Sequence, residues 1–351
     1  TLLSSAASDV YKRQNQYRSR PHNTNPETTE HMEPWPGGRR NHYLFDLNRD
    51  WFWVTQVESQ QRLKVYNQWL PHVHVDFHEQ GVNSPYYFAP AAKPYHEVIT
   101  DWQVEFQTAI GKNNAAYFDK NGWPYFTKES FDLLYPSYGD TYPTYMGGIG
   151  MTYEQGGSGR AGLGIINNVN AELSLYDRLI HHTTSGLATV ETASKNAKRL
   201  NTEFEKYFDN SNLKYKSYVL RGTEEKIRQV EKLLEKHEIS MLPAKEGSAR
   251  MYDYDTKSER NIRLTAADWI VQTDQPKGKM VKVLFEPETK LADSATYDIT
   301  AWSIPHAYGL KGFASTTKLE GTNASNRQVD GTELNEVPKR AYAFVMKWKS
   351  V

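Results

Sequence analysis

Cysteine is absent from all 351 residues, which excludes a disulfide scaffold and any thiolate metal site. A zinc site here would have to use histidine and carboxylate ligands, the set found in catalytic rather than structural zinc centres. Net charge is also missing: 42 basic residues balance 42 acidic ones, and no basic run exists to steer nucleic acid or an anionic membrane surface. No stretch approaches the roughly 20 apolar residues needed to span a bilayer. There is no internal repeat and no signal-peptide pattern. Thr1 to Gln14 (TLLSSAASDVYKRQ) has no hydrophobic period and no compositional link to the aromatic-rich residues after Asn15. It reads as a translated adapter junction of the kind left at the ends of assembled environmental DNA. The natural N-terminus, with any targeting segment, is therefore expected to be missing.

What is present is a length that suits two domains and an aromatic content of 13%, much of it in 23 tyrosines. That composition fits a hydrophilic enzyme with a polar, aromatic-lined cleft. Residues 15–42 have the Asn, Pro and Gly punctuation of a loop. Tyr43–Leu47 reads as a short strand ending at Asn48-Arg49-Asp50. Thr55 to Glu58 has capping-box spacing ahead of a helix whose Leu63, Tyr66 and Leu70 share a face and which Pro71 ends. His72–Phe77 alternates strictly and predicts a strand running into a turn at His78–Gly81. Residues 94–119 read as helical. A short strand, Gly150–Glu154, enters the glycine-rich QGGSGRAG, and a long amphipathic helix comes next, with Leu179, Leu187, Leu200, Phe204 and Phe208 as its buried-face candidates. Asp-Asn-Ser-Asn at 209–212 marks a domain boundary, after which a β-α-β unit is expected.

Four places stand out, in the order Arg18, Asn48-Arg49, His78 and Glu154. His78 lies where a strand is expected to end, the edge at which open α/β sheets place their sites. A neutral imidazole there can ligate a metal, with Asp76 or a backbone group orienting it. Asn48 and Arg49 offer an amide beside a guanidinium fork, suited to holding a carboxylate by two parallel hydrogen bonds. Glu154 precedes a glycine-rich turn, where a carboxylate can serve as a proton-transfer group. The bland readings are a surface ion pair for Arg49 with Asp50, and a turn cap for Glu154.

In their order along the chain these segments resemble the zinc carboxypeptidase family. FDLNRDW is similar to its Asp-x-Asn-Arg segment, HVDFHEQG to its Asp-x-His segment, GMTYEQGGSGRAGL to its Thr-x-Glu segment, and Asn15-Gln-Tyr-Arg18 to the end of its aromatic-Arg segment. The resemblance covers roughly residues 15–208. It implies an α/β fold with a mixed central sheet and helices on both faces, followed by a small α/β domain at 211–351. Residues 15–210 would be a catalytic domain lacking its N-terminal part. By the same resemblance His78 would bind zinc and Glu154 would be the general base and acid. Arg18 would stabilise the oxyanion, Asn48 and Arg49 would hold the terminal carboxylate, and Tyr135 or Tyr138 would close over a peptide substrate. A secreted or periplasmic location is implied as well. Asp50 departs from the residue commonest in the family at its position, which leaves side-chain specificity open.

One family element has no counterpart. The other two zinc ligands form a His-x-x-Glu motif upstream of the aromatic-Arg segment, and no His-x-x-Glu occurs anywhere in this chain. Hydrolysis is therefore expected to be absent or impaired in this fragment. Two other readings remain open. At period two, His72, His74, Asp76 and His78 share one strand face, a pattern superficially like that of other metal-dependent hydrolases, although histidines hydrogen-bonded beside the sheet would look the same. Alternatively, the chain is a non-catalytic binder of carboxylates or peptides.

Overall fold

The computed structural model describes residues 39–158, 162–291, 296, 299 and 301–322. Of these, the residues up to Asn210 form one compact unit together with those between Glu288 and Ala301, and those from Ser211 to Pro287 with Trp302 to 322 form another. The division falls inside the Asp-Asn-Ser-Asn run. The return of 288–301 to the first unit is marked by nothing in the sequence pattern.

The first unit begins differently from expectation. Tyr43, Leu44 and Phe45 are exposed rather than in a strand, and Leu47–Arg49 forms a 3₁₀ turn whose first N–H groups are capped by Asp46. Helix α1 (Val57–Trp69) has no capping box. The Asp50 carboxylate instead accepts from the backbone N–H groups of Thr55 and Gln56 just ahead of it. That makes Asp50 a buried turn-former, not the partner of Arg49 in a surface pair. The helix stops at Leu70, left-handed at φ 39° before Pro71, because a proline disfavours the α region for the residue preceding it.

Strand β1 (Val73–Gly81) continues three residues past His78 instead of ending at it. Short strands β2 (Tyr86–Tyr87) and β3 (Ala92–Tyr95) follow, then α2 (Asp101–Asn121), opened by a Thr100–Gln103 capping box. Next come β4 (Tyr125–Phe126), β5 (Asp132–Leu133), the short helix α3 (Thr141–Tyr145) and β6 (Ile149–Ser158). A hairpin of β7 (Gly164–Ile166) and β8 (Glu172–Ser174) leads into α4 (Leu175–Lys195) and α5 (Ala197–Tyr207). The expected single long helix is thus two.

The main sheet has the order β1-β6-β2-β4, with β1 parallel to β6 and β2 antiparallel to it. Period-two alternation sorts its faces. Val73, Val75 and Phe77 side with Ile149, Met151 and Tyr153, and pack against Phe106, Ile110 and Phe118 of α2. The opposite face carries His74, Asp76 and His78 beside Gly150, Thr152 and Glu154, and is covered by Tyr66 of α1, Tyr142 of α3 and Trp51. Helix α3 comes so close that a Cβ on Gly150 would collide with the Asp140 carbonyl. The unit is therefore mixed α/β, with helices on both faces of its sheet.

The second unit holds β9 (Ser217–Arg221), α6 (Glu224–Lys236), β10 (Leu242–Pro243), β11 (Gly247–Asp253), β12 (Ser258–Leu264), β13 (Trp269–Gln272), α7 (Gly278–Phe285), α8 (Ile304–Ala307) and β14 (Lys311–Ser315). Its sheet order is β10-β13-β9-β14-β11-β12 with every pairing antiparallel. β13 thus lies between the two strands of the expected β-α-β unit. Val219, Ile270, Met251, Ile262 and Phe313 fill its core. The buried Asp268 carboxylate accepts a fork of bonds from Arg221, at 2.6 Å and 2.8 Å.

Candidate functional site

Parallel pairing of β1 with β6 sets His78 directly beside Glu154, and Asp76 beside Thr152. On its other side Glu154 is paired with Tyr87 of β2. Two residues far apart in sequence thereby meet on the polar face of the sheet, at its carboxyl-terminal end.

The 3₁₀ turn brings a third participant. Asn48 Oδ1 accepts from the Gly139 N–H at 2.8 Å, which fixes the orientation of the amide and turns Nδ2 toward His78 Nε2 at 3.1 Å. The same Nε2 lies 2.6 Å from Asp76 Oδ2. With Asp76 ionised, the Nε2 proton is donated to that carboxylate, so this nitrogen is committed to Asp76 and crowded by Asn48. Gly139 permits the arrangement, because a Cβ there would collide with Asp76 Oδ2 and approach Asn48 Oδ1. Arg62 of α1 anchors the turn from behind: it donates to the Leu47 carbonyl at 3.1 Å and lies over the Trp51 ring at 3.9 Å. Burial lowers its pKa to about 10, opposed by Asp76 and Asp50.

Arg49 is stacked on Tyr138, its guanidinium carbon 4.4 Å from the ring centroid, and Nη1 donates to the Asn48 carbonyl at 3.3 Å. Tyr138 packs edge-on against Tyr135 at 5.0 Å, and the Trp53 indole N–H donates to the Tyr135 hydroxyl at 2.6 Å. Both tyrosines are buried. Of the residues singled out in the sequence, Asn48, His78 and Glu154 are drawn together, and Arg49, Tyr135 and Tyr138 form a second group joined to the first through the 48–49 backbone. Arg18 lies outside the described residues.

The carboxylates in this region repel one another's charge. Glu154 is 8% exposed, and burial raises its pKa to about 7, with His78 lowering and Asp76 raising it. Asp140, which accepts from Thr152 Oγ1 at 2.8 Å, is raised to about 6, again chiefly by burial and also by Asp76. Asp140, Gly139 and Trp53 carry no motif signal of their own. The first two sit in PSYGDTYPTY, a segment whose tyrosines are its evident feature.

The other strand histidines are packed by aromatic rings. His72 packs at a tilt against Phe204, ring centroids 4.1 Å apart. His74 is 1% exposed, lies edge-on to Trp51 at 5.4 Å and Tyr66 at 6.1 Å, and neither ring nitrogen has a hydrogen-bond partner among the described residues. Burial lowers its pKa to about 4, so it is neutral. On the opposite face of the sheet, His182 of α4 hydrogen-bonds the His78 backbone and, through Nδ1, the Tyr86 hydroxyl at 2.8 Å.

Among the described residues, no three histidine, aspartate or glutamate side chains are grouped so as to hold a metal ion. These residues alone do not fit a zinc centre, which needs about three protein ligands.

No protein-family model and no curated protein matches the chain. Among solved structures, the metallo-carboxypeptidase from Burkholderia cenocepacia is similar at a TM-score of 0.36 and 13% identity, over 45% of this chain and 40% of that one. The chain thus spans less than half of that structure, and a likeness at this level assigns neither fold nor activity.

Two outcomes are expected from the site's energetics. His74→Phe removes two unpartnered nitrogens from an aromatic layer, so stability in urea is expected to hold or to rise by about 1 kcal/mol. A loss beyond about 2 kcal/mol would mean that the imidazole is hydrogen-bonded after all.

The second concerns pH. Glu154 is raised from 4.5 to about 7 in the folded state, so the fold keeps a proton that the unfolded chain has released. Its favourable contribution is full below pH 4.5, falls as pH rises, and is gone above about 7. Glu154→Gln should match wild type at low pH and exceed it at pH 8, by at most about 3 kcal/mol. Melts across this range would refute the assignment if wild type and variant ran parallel.

Proposed function

We propose that the first unit carries the carboxylate-recognition and proton-transfer part of a carboxypeptidase-type site, and that its ligand is a peptide with a free C-terminal carboxylate. The observation that carries this reading is the meeting of Asn48, His78 and Glu154 at the end of β1 and β6, with Arg49 stacked beside them on Tyr138. A guanidinium held over an aromatic ring has less freedom to lose when its planar fork meets a carboxylate. Asn48, locked by Gly139, adds an amide donor whose direction is set before any ligand arrives. Glu154, with a pKa near 7, can both accept and release a proton at neutral pH, the property a general acid–base needs. Tyr135 and Tyr138 supply an aromatic wall.

Peptide hydrolysis by a zinc enzyme would use these same residues, with His78 as one ligand. Because the described residues do not assemble a metal centre, they support no hydrolytic step by themselves, and the chain as it stands is expected to cut peptides poorly. The lack of a group of three metal-ligating side chains among the described residues favours, as a second reading, a binder that recognises the carboxylate without cleaving. The two are separated by zinc itself. Dialysis of the zinc-loaded chain against a mild chelator is expected to strip the metal, and stoichiometric retention would favour the enzyme.

The binding reading is tested without turnover. Calorimetry with one peptide as free acid and as C-terminal amide should show the acid bound at least about tenfold more tightly, since the amide leaves the half-buried donors unmatched once it covers them, at about 1–3 kcal/mol. Arg49→Ala should abolish most of that preference. Arg49→Lys should lose much of it, because a point charge replaces a planar fork. Equal affinity for acid and amide in wild type would remove the carboxylate clamp.

A further inference from the structure

Helix α4 buries its polar side and exposes its apolar one. Arg178, His181, Ser185 and Thr189 face the sheet, where Arg178 meets Glu79 at 2.9 Å, His181 meets Gln155 at 2.8 Å, Ser185 meets Tyr86 at 2.7 Å and Thr189 meets Tyr153 at 2.5 Å. These bonds fix the rotation of the helix about its axis. Leu179 and Leu187, expected from periodicity to be buried, are 57% and 65% exposed, and Leu175, Tyr176 and Val190 are exposed with them. From Leu175 to Val190 the stripe runs roughly 22 Å at the helical rise. Beside it lies a groove of about 620 Å³ between α4 and the end of α2, lined by Tyr117, Trp123, Tyr176, Ile180, Leu187 and Glu191. The apolar surface continues past the helix N-terminus onto the β7–β8 hairpin, where Leu163, Ile166 and Val169 are exposed and the Leu163 carbonyl accepts from the Leu175 N–H at 2.9 Å.

We propose that this face is the contact surface of a homodimer, with α4 packed antiparallel against α4 of a second copy. The area argues for it. Taking on the order of 150–200 Å² for a fully exposed side chain of these types, the stripe, groove edge and hairpin together offer roughly 900 Å². The largest apolar patch on an ordinary monomer is about 300–600 Å², and a standard interface buries about 800 Å² per partner. Shape argues for it too: a ridge beside a groove on one face is self-complementary under a two-fold axis, each ridge entering the other copy's groove. Charge fits in the same way. Lys195 at the C-terminal end is already paired with Glu191 at 2.6 Å, which leaves no like-charge clash there, and antiparallel helices set opposite dipole ends together. A lipid surface would instead call for a basic rim, and here Glu172, Asp177 and Glu191 border the stripe.

Sedimentation velocity from low to high micromolar concentration is expected to show a reversible dimer. The double variant Leu179→Glu, Leu187→Glu should be monomeric throughout, with a melting midpoint equal to that of wild type at dilutions where wild type is itself monomeric, because both side chains are already exposed in the single chain. The chain contains no cysteine, so a single introduced thiol reports geometry cleanly. Thr183→Cys, on the exposed side near the middle of the stripe, should form a disulfide-linked dimer under mild oxidation. Ser248→Cys, exposed on the second unit, should not. A wild-type chain that stays monomeric would overturn the proposal. So would a dimer that survives the double variant, equal cross-linking at both positions, or co-sedimentation of monomers with anionic vesicles.

Discussion

Everything at the candidate site depends on the parallel pairing of β1 with β6. Because side chains alternate with period two, a slip of one residue would carry Val73, Val75 and Phe77 to the polar face and lose the whole apolar layer against α2. The register is held from both sides. On the apolar face it is the packing of Met151 and Tyr153 with Val75 and Phe77. On the polar face it is the approach of Asp140 to Gly150, which no larger residue would allow. With the register set, His78 and Glu154 have no choice but to be neighbours.

That neighbourhood is costly, and the cost shapes its chemistry. Asp76, Asp140 and Glu154 crowd one buried region. Arg62 favours the ionised form of Asp76, and His78 that of Glu154. Low local polarisability makes each additional negative charge harder to hold. Asp76 has the imidazole of His78 at 2.6 Å. Glu154 and Asp140 respond by keeping their protons to about 7 and about 6. A carboxyl group held near neutrality is thus chiefly a consequence of burial, with the nearby Asp76 adding to it, and it is also what proton transfer at neutral pH requires.

The strand signals are legible because they rest on a local rule. His72–Phe77 alternates, and β1 forms there; Gly150–Glu154 reads as a short strand, and β6 contains it. Motif order anticipates the meeting of Asn48, His78 and Glu154, but not its means. Tyr43–Leu47 looks like a strand, yet the Asp46 side chain caps a 3₁₀ turn and Asp50 ties the next stretch of chain into a second one, and short-range hydrogen bonds from aspartate outcompete strand propensity. Gly139 and Asp140 are illegible because their roles are tertiary: one leaves room for Asp76 and the other receives Thr152. The topology of the second unit is hidden for a similar reason, since β13 enters between β9 and β10 from a distant part of the chain, after β11 and β12.

The inversion of α4 has the same origin as the site. The back of β1 and β6 is apolar only as far as Phe77 and Tyr153; beyond them come Glu79 and Gln155, and β2 adds the Tyr86 hydroxyl. A helix crossing that end of the sheet must offer donors and acceptors, because each buried polar group left unmatched costs about 1–3 kcal/mol. Arg178, His181, His182 and Ser185 meet that demand at successive turns. A helix has only one inward face, so matching the polar end of the sheet sends the leucines outward. The apolar stripe is therefore no accident of composition: the polar ends of the strands that carry His78 and Glu154 leave α4 nowhere else to put it.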